Sequence, residues 1–344
     1  MRVLLTGAEG FIGSAIREAL IAEDHEVVSV DLMLPAAHGV TEAQAGTHQR
    51  DVRDAADWSA LLDGIDVVCH QAAMVGAGVT VADLPAYAAH NDLGTAALLA
   101  AMAERGRTHL VLASSMVVYG EGRYFCPEHG ERPPGVRSVM ALSGGRFDNE
   151  CPVCSAPLTW ALVNEDARLE PRSSYAASKV AQEHYALAWA RQAAGRVVAL
   201  RYHNVYGPGM PRNTPYSGVA AIFRSALERG EPPRVFEDGG QMRDFVHVAD
   251  VAQANVLAIK AVLEEPAEAF AAYNVCSGRP ISIRDVAALV TGADEKLVVT
   301  GEYRLGDVRH IVASPELARK QLGFHATVIP EVGLPEFRHA KLRD

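Results

Sequence analysis

The chain opens on a short apolar run, "RVLLT", and turns through glycines into "FIGSAIREALIAE". There Phe11, Ile12, Ala15, Ile16, Ala19 and Leu20 recur on one helical face. A second apolar run, "EVVSVD", follows. The short runs are continuously apolar, as in strands covered on both faces, and run–helix–run reads as a right-handed βαβ crossover between parallel strands. The alternation continues: "DVVCHQAA" and "HLVLASS" read as further buried strands, and "YAASKVAQEHYALAWA" as a long helix opened by serines. The pattern predicts an α/β fold around a doubly wound parallel sheet.

The first strand-to-helix turn carries Gly7-x-x-Gly10-x-x-Gly13. Glycine there permits a tight turn, lets backbone N–H groups approach a pyrophosphate, and lets the helix pack closely on the strand. The turn points to a Rossmann-type dinucleotide site, with Phe11 and Ile12 beside it. Asp31 ends the second strand, where an acid accepts bonds from ribose hydroxyls and repels a 2′-phosphate, so NAD is expected over NADP. Asp51 and Val52 are placed to reach the adenine. Ala72 and Ala73 end another strand, and their small side chains leave room for a cofactor.

Ser114 and Ser115 end the strand "HLVLASS", and ligands in such sheets bind at the carboxyl ends of strands. Tyr175 and Lys179 are four apart and stack on one helical face. A free phenol titrates near pH ~10, and a neighbouring ammonium plus a positive nicotinamide favours the phenolate. Tyr175 can then take a proton from a sugar or alcohol hydroxyl as the carbon is oxidised. Lys179 is placed for the ribose hydroxyls, and Ser115 for the same substrate oxygen.

Composition narrows the partners. The 344 residues carry a formal charge of -10, with 49% apolar and 22% charged side chains. No cationic run stands out, which argues against nucleic acid as a partner. No apolar run approaches the ~20 residues of a membrane span, and no leader-like segment precedes the first strand, so a cytoplasmic protein is expected.

Taken together, these motifs resemble the extended short-chain dehydrogenase/reductases, specifically the NAD-dependent nucleotide-sugar epimerases and dehydratases. The resemblance rests on "TGAEGFIG", "HNDLGT", "SSMVVYG", "YAASK", "RYHNVYGPG", "GGQMRDFVHVADVA" and "LGDVRHIVASP", and spans nearly everything but residues 121–166. It implies an NAD-binding domain over 1–205, with 240–275 returning to it, and a nucleotide-sugar lobe from 206–239 and 276–344. It implies that Asn91 buttresses the site and belongs to the cofactor-binding residues, Asn204 contacts the sugar or its phosphate, and Phe236 lies beside the base. Arg243, Arg304, Asp307 and Arg309 match positions that hold the diphosphate and nucleoside ribose. A homodimer through the helices of Asn91 and Tyr175 is also implied. Dehydratases of the family carry an acidic pair after the strand serine or threonine; here Met116 and Val117 stand there, and neither can move a proton. That leaves 4-epimerisation, with UDP-glucuronate/UDP-galacturonate expected if Arg212 and Ser114 hold a sugar carboxylate. UDP-glucose/UDP-galactose is the alternative, then a dehydratase or ketoreductase, and outside enzymes an NAD-binding sensor.

Residues 121–166 interrupt this pattern. Cys126-x-x-His129 and Cys151-x-x-Cys154 bracket a Gly/Pro-rich span. Two such pairs can close a tetrahedral zinc site with no open position, so a structural zinc in a ribbon-like insertion is expected. Cys69 and Cys276 lie in apolar strands and are expected in the core.

Overall fold

The computed structural model describes residues 1–38, 42–76, 80–212, 218–293 and 296–343. Seven parallel strands form the main sheet, in the order Ala269–Val275, Arg196–Tyr202, His109–Ser115, Val67–His70, Arg2–Thr6, Glu26–Asp31, His48–Gln49. The chain moves outward from Arg2–Thr6 in one direction, then in the other, so the strand order reverses between Arg2–Thr6 and Val67–His70. A crevice opens there at the carboxyl edge.

The continuous apolar runs are explained by burial on both faces. Val3 and Leu5, Val111, and Val198 and Leu200 point into one core cluster. Their chain neighbours Leu4, Leu110 and Leu112, and Val197 point into the other. Helices Phe11–Ala22 and Val248–Glu264 pack on the first face, and Gly94–Glu104 and Ser174–Gln192 on the second. Ile16 and Leu20 are fully buried, as their spacing predicts, and so are Cys69 and Cys276. Phe11 departs from that helix's core face and packs against the smaller lobe, stitching the two bodies together.

The smaller lobe has its own core around Tyr206, Phe223, Phe245 and Phe337. Strand Met242–His247 belongs to it, pairing with Asn204–Tyr206 and Pro280–Ser282. The chain returns to the larger body at Val248, where helix Val248–Glu264 packs on the large sheet, and rejoins that sheet at Ala269. Asp244, fully buried, marks this seam: its carboxylate accepts bonds from the Ser277 N–H and hydroxyl and from the N–H groups of Gly278 and Arg279. The insertion is a small three-stranded antiparallel sheet, Gly130–Glu131, Arg123–Cys126 and Thr159–Ala161, over a core of Tyr124, Cys126, Cys151 and Leu158. Among the described residues no helix is long and apolar enough to cross a membrane.

The glycine turn is steric in origin. Gly7 has φ +68°, and a Cβ on Gly13 would stand 1.9 Å from the Gly7 carbonyl oxygen. The obstacle is backbone, which cannot swing aside. Gly13→Ala is therefore expected to lose about 1–3 kcal/mol of stability, read as a lowered unfolding midpoint, whereas Gly230→Ala, with nothing within 4 Å, carries only the cost of its φ of +70°.

Candidate active site

A cleft of about 1060 Å³ runs along the carboxyl edge of the sheet into the smaller lobe. Its floor at one end is the glycine turn: Gly7, Gly10, Phe11, Ile12 and Gly13 line it together with Asp31, Asp51, Val52, Ala72 and Ala73. Helix Phe11–Ala22 starts at Gly10 with no side-chain cap, leaving its first N–H groups to the cleft. A Cβ on Gly7 would stand 2.7 Å from the Ala72 nitrogen, and one on Gly13 against the Gly7 carbonyl, so glycine at both lets the turn close tightly under the helix N-terminus, the shape a pyrophosphate site needs. Asp31 is 5% exposed. Burial would raise its carboxyl, but the His38 imidazole and the N–H groups of Met33 and Glu9 outweigh burial and hold it below the usual range. An ionised acid there suits two ribose hydroxyls.

At the middle of the cleft stand Ser115, Tyr175 and Lys179. The Ser173 hydroxyl caps helix Ser174–Gln192, accepting from the Ala176 N–H at 3.1 Å. Tyr175 lies in its first turn. Lys179 sits one turn on, with Nζ 5.9 Å from the Tyr175 ring centroid. Nζ donates to the Ala113 carbonyl at 2.9 Å, two residues before Ser115. The Ser115 side chain lies near the Tyr175 hydroxyl and draws its pKa down. Burial outweighs that pull and pushes Tyr175 up to about 12, and Tyr87, whose ring lies 5.8 Å away, adds to the rise. Burial pushes Lys179 down to about 7, against the pull of Glu183. The trio can therefore exchange a proton with a substrate hydroxyl once a cationic ring lies alongside.

Asn91 lies outside the cleft lining, a correction to its expected cofactor contact. It sits in the π-helical turn Ala88–Leu93. Its amide accepts from the Met74 N–H at 2.7 Å and donates to the Met74 carbonyl at 3.0 Å and the Ser178 hydroxyl at 2.8 Å. It fixes the chain beside Ala73 and the residue preceding Lys179, acting by position rather than contact.

Toward the smaller lobe the cleft is lined by Asn204, Arg243, Arg304 and Asp307. These four also line an adjoining 250 Å³ pocket that contains Phe236. Arg304 stacks over the Phe236 ring at 5.0 Å. The Arg243 guanidinium is held by the carbonyls of Met242, Val308 and Arg309. Neutral acceptors orient it without neutralising it, which leaves a fixed cation where the two cavities meet.

Three expected substrate contacts move elsewhere. The Ser114 hydroxyl donates to Glu183 at 2.5 Å, so it is spent on a buried acid and not offered to a sugar. Arg212 is absent from the cleft lining and pairs with Glu228. Arg309 lines neither cavity; its guanidinium is taken by Asp148, Glu237 and Asp238. Each is a polar group whose partner lies far away in sequence.

The sequence reading missed two features. Glu183 takes the Arg201 fork at 2.9 and 2.8 Å, and Arg201 reaches the Tyr119 hydroxyl, which donates to Asn274. The spacing Tyr175, Lys179, Glu183 on one helical face was the available signal. His203 is the second. It is 3% exposed and lines the cleft, and neither ring nitrogen has a partner among the described residues.

In the insertion the ligand atoms of Cys126, His129, Cys151 and Cys154 lie within 4.8 Å of one another. Cys126 Sγ is 3.6 Å from Cys154 Sγ and 3.5 Å from His129 Nδ1, and Cys151 Sγ is 3.9 Å from that nitrogen. A tetrahedron with Zn–S of about 2.3 Å and Zn–N of about 2.1 Å has edges of about 3.6–3.8 Å. The donor set and its spacing fit zinc, with no place left for a substrate.

A profile of the NAD dependent epimerase/dehydratase family matches residues 3–141 and 157–276, leaving out the stretch that holds Cys151 and Cys154. The dTDP-L-rhamnose 4-epimerase of Burkholderia thailandensis is 34% identical, over 98% of this chain and 94% of its own. The UDP-glucose 4-epimerase of Mycolicibacterium smegmatis is 32% identical, over 98% and 96%. Among solved structures, the Thermus thermophilus UDP-glucose 4-epimerase in complex with NAD superposes with a TM-score of 0.74 at 30% identity, covering 99% of this chain and all of the other.

Burial holds His70 and His203 down to about 3. Both rings stay neutral in the folded chain while the unfolded chain takes up protons near pH ~6.5. Their contribution is thus complete above that pH and declines as pH falls toward 3, by about 2 kcal/mol per ring between pH 7 and pH 5. Urea unfolding at those two pH values should show His203→Phe losing about 2 kcal/mol less than the parent.

Proposed function

The chain belongs to the NAD-dependent epimerase/dehydratase family and is an NAD-dependent nucleotide-sugar 4-epimerase; from that premise we propose that its substrate is a nucleoside-diphosphate hexose with an uncharged C5 substituent, and a 6-deoxyhexose first. The observation that carries the reading is the Ser115–Tyr175–Lys179 set between the glycine cradle and the Arg243 cation, with no acid or base at Met116 or Val117.

Bound NAD supplies reversible two-electron oxidation at C4 of the sugar. Tyr175 accepts the O4 proton, Ser115 hydrogen-bonds the same oxygen, and the Lys179 charge favours the phenolate. The 4-keto sugar, tethered by its diphosphate at Arg243, rotates about the phosphate linkage and presents its other face. Tyr175 then returns the proton. Water elimination would need a further acid and base at C5 and C6, and the chain offers methionine and valine there.

The C5 substituent is argued from charge. A uronate would need a cation near Ser115, and the candidate, Arg212, pairs with Glu228 outside the cleft. Met74, Val75, Met116, Val117 and Met210 supply apolar walls instead. They suit a methyl group, as in the rhamnose nucleotide named for one relative, better than a carboxylate; UDP-glucose/UDP-galactose is the second reading. The same proposal includes a structural zinc on Cys126, His129, Cys151 and Cys154. It also includes a homodimer through the helices of Asn91 and Tyr175, favoured by the exposed Leu93 and Tyr185 on those elements.

Assayed against dTDP-L-rhamnose, UDP-glucose and UDP-glucuronate, the protein is expected to interconvert C4 epimers of the first most efficiently and the last least. Preference for the glucuronate would overturn the charge argument. Tyr175→Phe is expected to lower kcat by about 10²–10⁴-fold while the purified protein keeps its NAD. Metal analysis is expected to return one zinc per chain, and Cys151→Ser to lose it.

A further inference from the structure

The insertion's place in the molecule suggests more than local bracing. Among the described residues, none from 121–166 lines the cleft or the pocket beside it. Yet the segment Tyr303–His310 lies between the insertion and those cavities. One side of it contributes Arg304, Asp307 and Val308 to both cavities. The other side is gripped by the insertion. The Ser143 hydroxyl meets the Tyr303 hydroxyl at 2.8 Å, and Arg137 donates to the Asp307 carbonyl at 2.7 Å. Glu121 accepts from the Arg309 N–H at 3.0 Å, Tyr124 from the His310 N–H at 3.0 Å, and Asp148 from the Arg309 guanidinium at 2.9 Å.

A shared carboxylate links the two bodies. Glu237, 2% exposed, follows Phe236 in the wall of the smaller pocket. One of its oxygens accepts from Arg137 of the insertion and the other from Arg309, both at 2.8 Å. Neither arginine can be withdrawn without stranding charge in a dry place.

Arg137, Ser143 and Asp148 all fall between the two half-sites, after Cys126 and His129 and before Cys151 and Cys154. Closing the half-sites on a metal shortens that free span to a loop tethered at both ends and removes much of the entropy that would otherwise oppose its ordering. The span is Gly/Pro-rich, and only Leu142, Phe147 and Asn149 within 130–150 are well buried alongside Pro134, so apolar packing alone anchors it weakly.

We propose that zinc on Cys126, His129, Cys151 and Cys154 acts as a clamp: it fixes Arg137 and Asp148, and through Glu237 and Arg309 it positions the residues that hold the nucleoside diphosphate. The proposal rests on the nucleotide-sugar reading above. It makes Arg137 and Glu237 positioning residues and assigns the metal to nucleotide affinity, leaving the glycine cradle independent of it.

The test uses the full chain with its NAD, titrated calorimetrically with UDP and with dTDP before and after zinc removal by a chelator. The tighter-binding nucleotide is expected to weaken at least tenfold on zinc removal, with NAD content and helix signal unchanged, and to recover when zinc is restored. Arg137→Ala is expected to keep its zinc and show the same weakening, with Arg137→Lys in between. Unchanged affinity in the metal-free protein overturns the clamp, as does normal affinity in zinc-loaded Arg137→Ala, or loss of NAD together with the metal. If neither nucleotide binds the zinc-loaded protein, the nucleotide reading itself falls and takes the clamp with it; a clamp failure alone leaves nucleotide binding intact.

Discussion

The bond from Lys179 Nζ to the Ala113 carbonyl joins the helix that carries the phenol to the strand that carries Ser115. A buried ammonium cannot be left without acceptors, so this contact fixes the depth and rotation of the whole helix against the sheet. The helix is fixed again one turn later, where Glu183 takes the Arg201 fork from the neighbouring strand and the Ser114 hydroxyl. It is fixed a third time at Ser178 by Asn91. Three polar ties on one face of one helix leave Tyr175 little freedom, and the proposed proton transfer depends on that rigidity. The low dielectric that makes these ties strong also shifts the phenol up and the ammonium down. A positive cofactor ring is what such a site lacks by itself, so cofactor occupancy and acid–base chemistry are coupled by electrostatics.

The substrate end is organised by a different use of charge. Arg243 is oriented by carbonyls and lines both cavities, while Arg309, whose own carbonyl accepts from Arg243 at 3.0 Å, is neutralised by three carboxylates. In the proposed function the first arginine serves a ligand and the second the architecture. The insertion shares in the second arrangement through Arg137 and Asp148. A segment that adds nothing to the cavity walls thus contributes to the geometry of those walls.

Much of the cofactor side was legible because its signals are local. A glycine turn, an acid at a strand end and two residues one helical turn apart depend on spacing along the chain, and spacing survives in a sequence. The cysteine and histidine pairs were legible for the same reason: each half-site is set by its own short turn. The substrate side was read less well. Ser114 and Arg212 were assigned by their places at strand ends and Arg309 by motif position, and each side chain is claimed by a partner that only folding supplies. Glu183 lies 69 residues from Ser114, Glu237 lies 72 from Arg309, and Glu228 lies 16 from Arg212 across a helix boundary.

What the sequence determined by itself was the order of strands and helices, the glycine turn and the one-turn spacing of Tyr175 and Lys179, since periodicity and sterics act over a few residues. The tertiary structure alone decided which arginines are neutralised by carboxylates, that His203 faces the cleft with no partner among the described residues, and that the insertion grips the segment behind the smaller pocket. Those outcomes depend on which polar groups meet after burial. A buried charge is satisfied by whatever the fold brings within ~3 Å, a condition no run of neighbouring residues records.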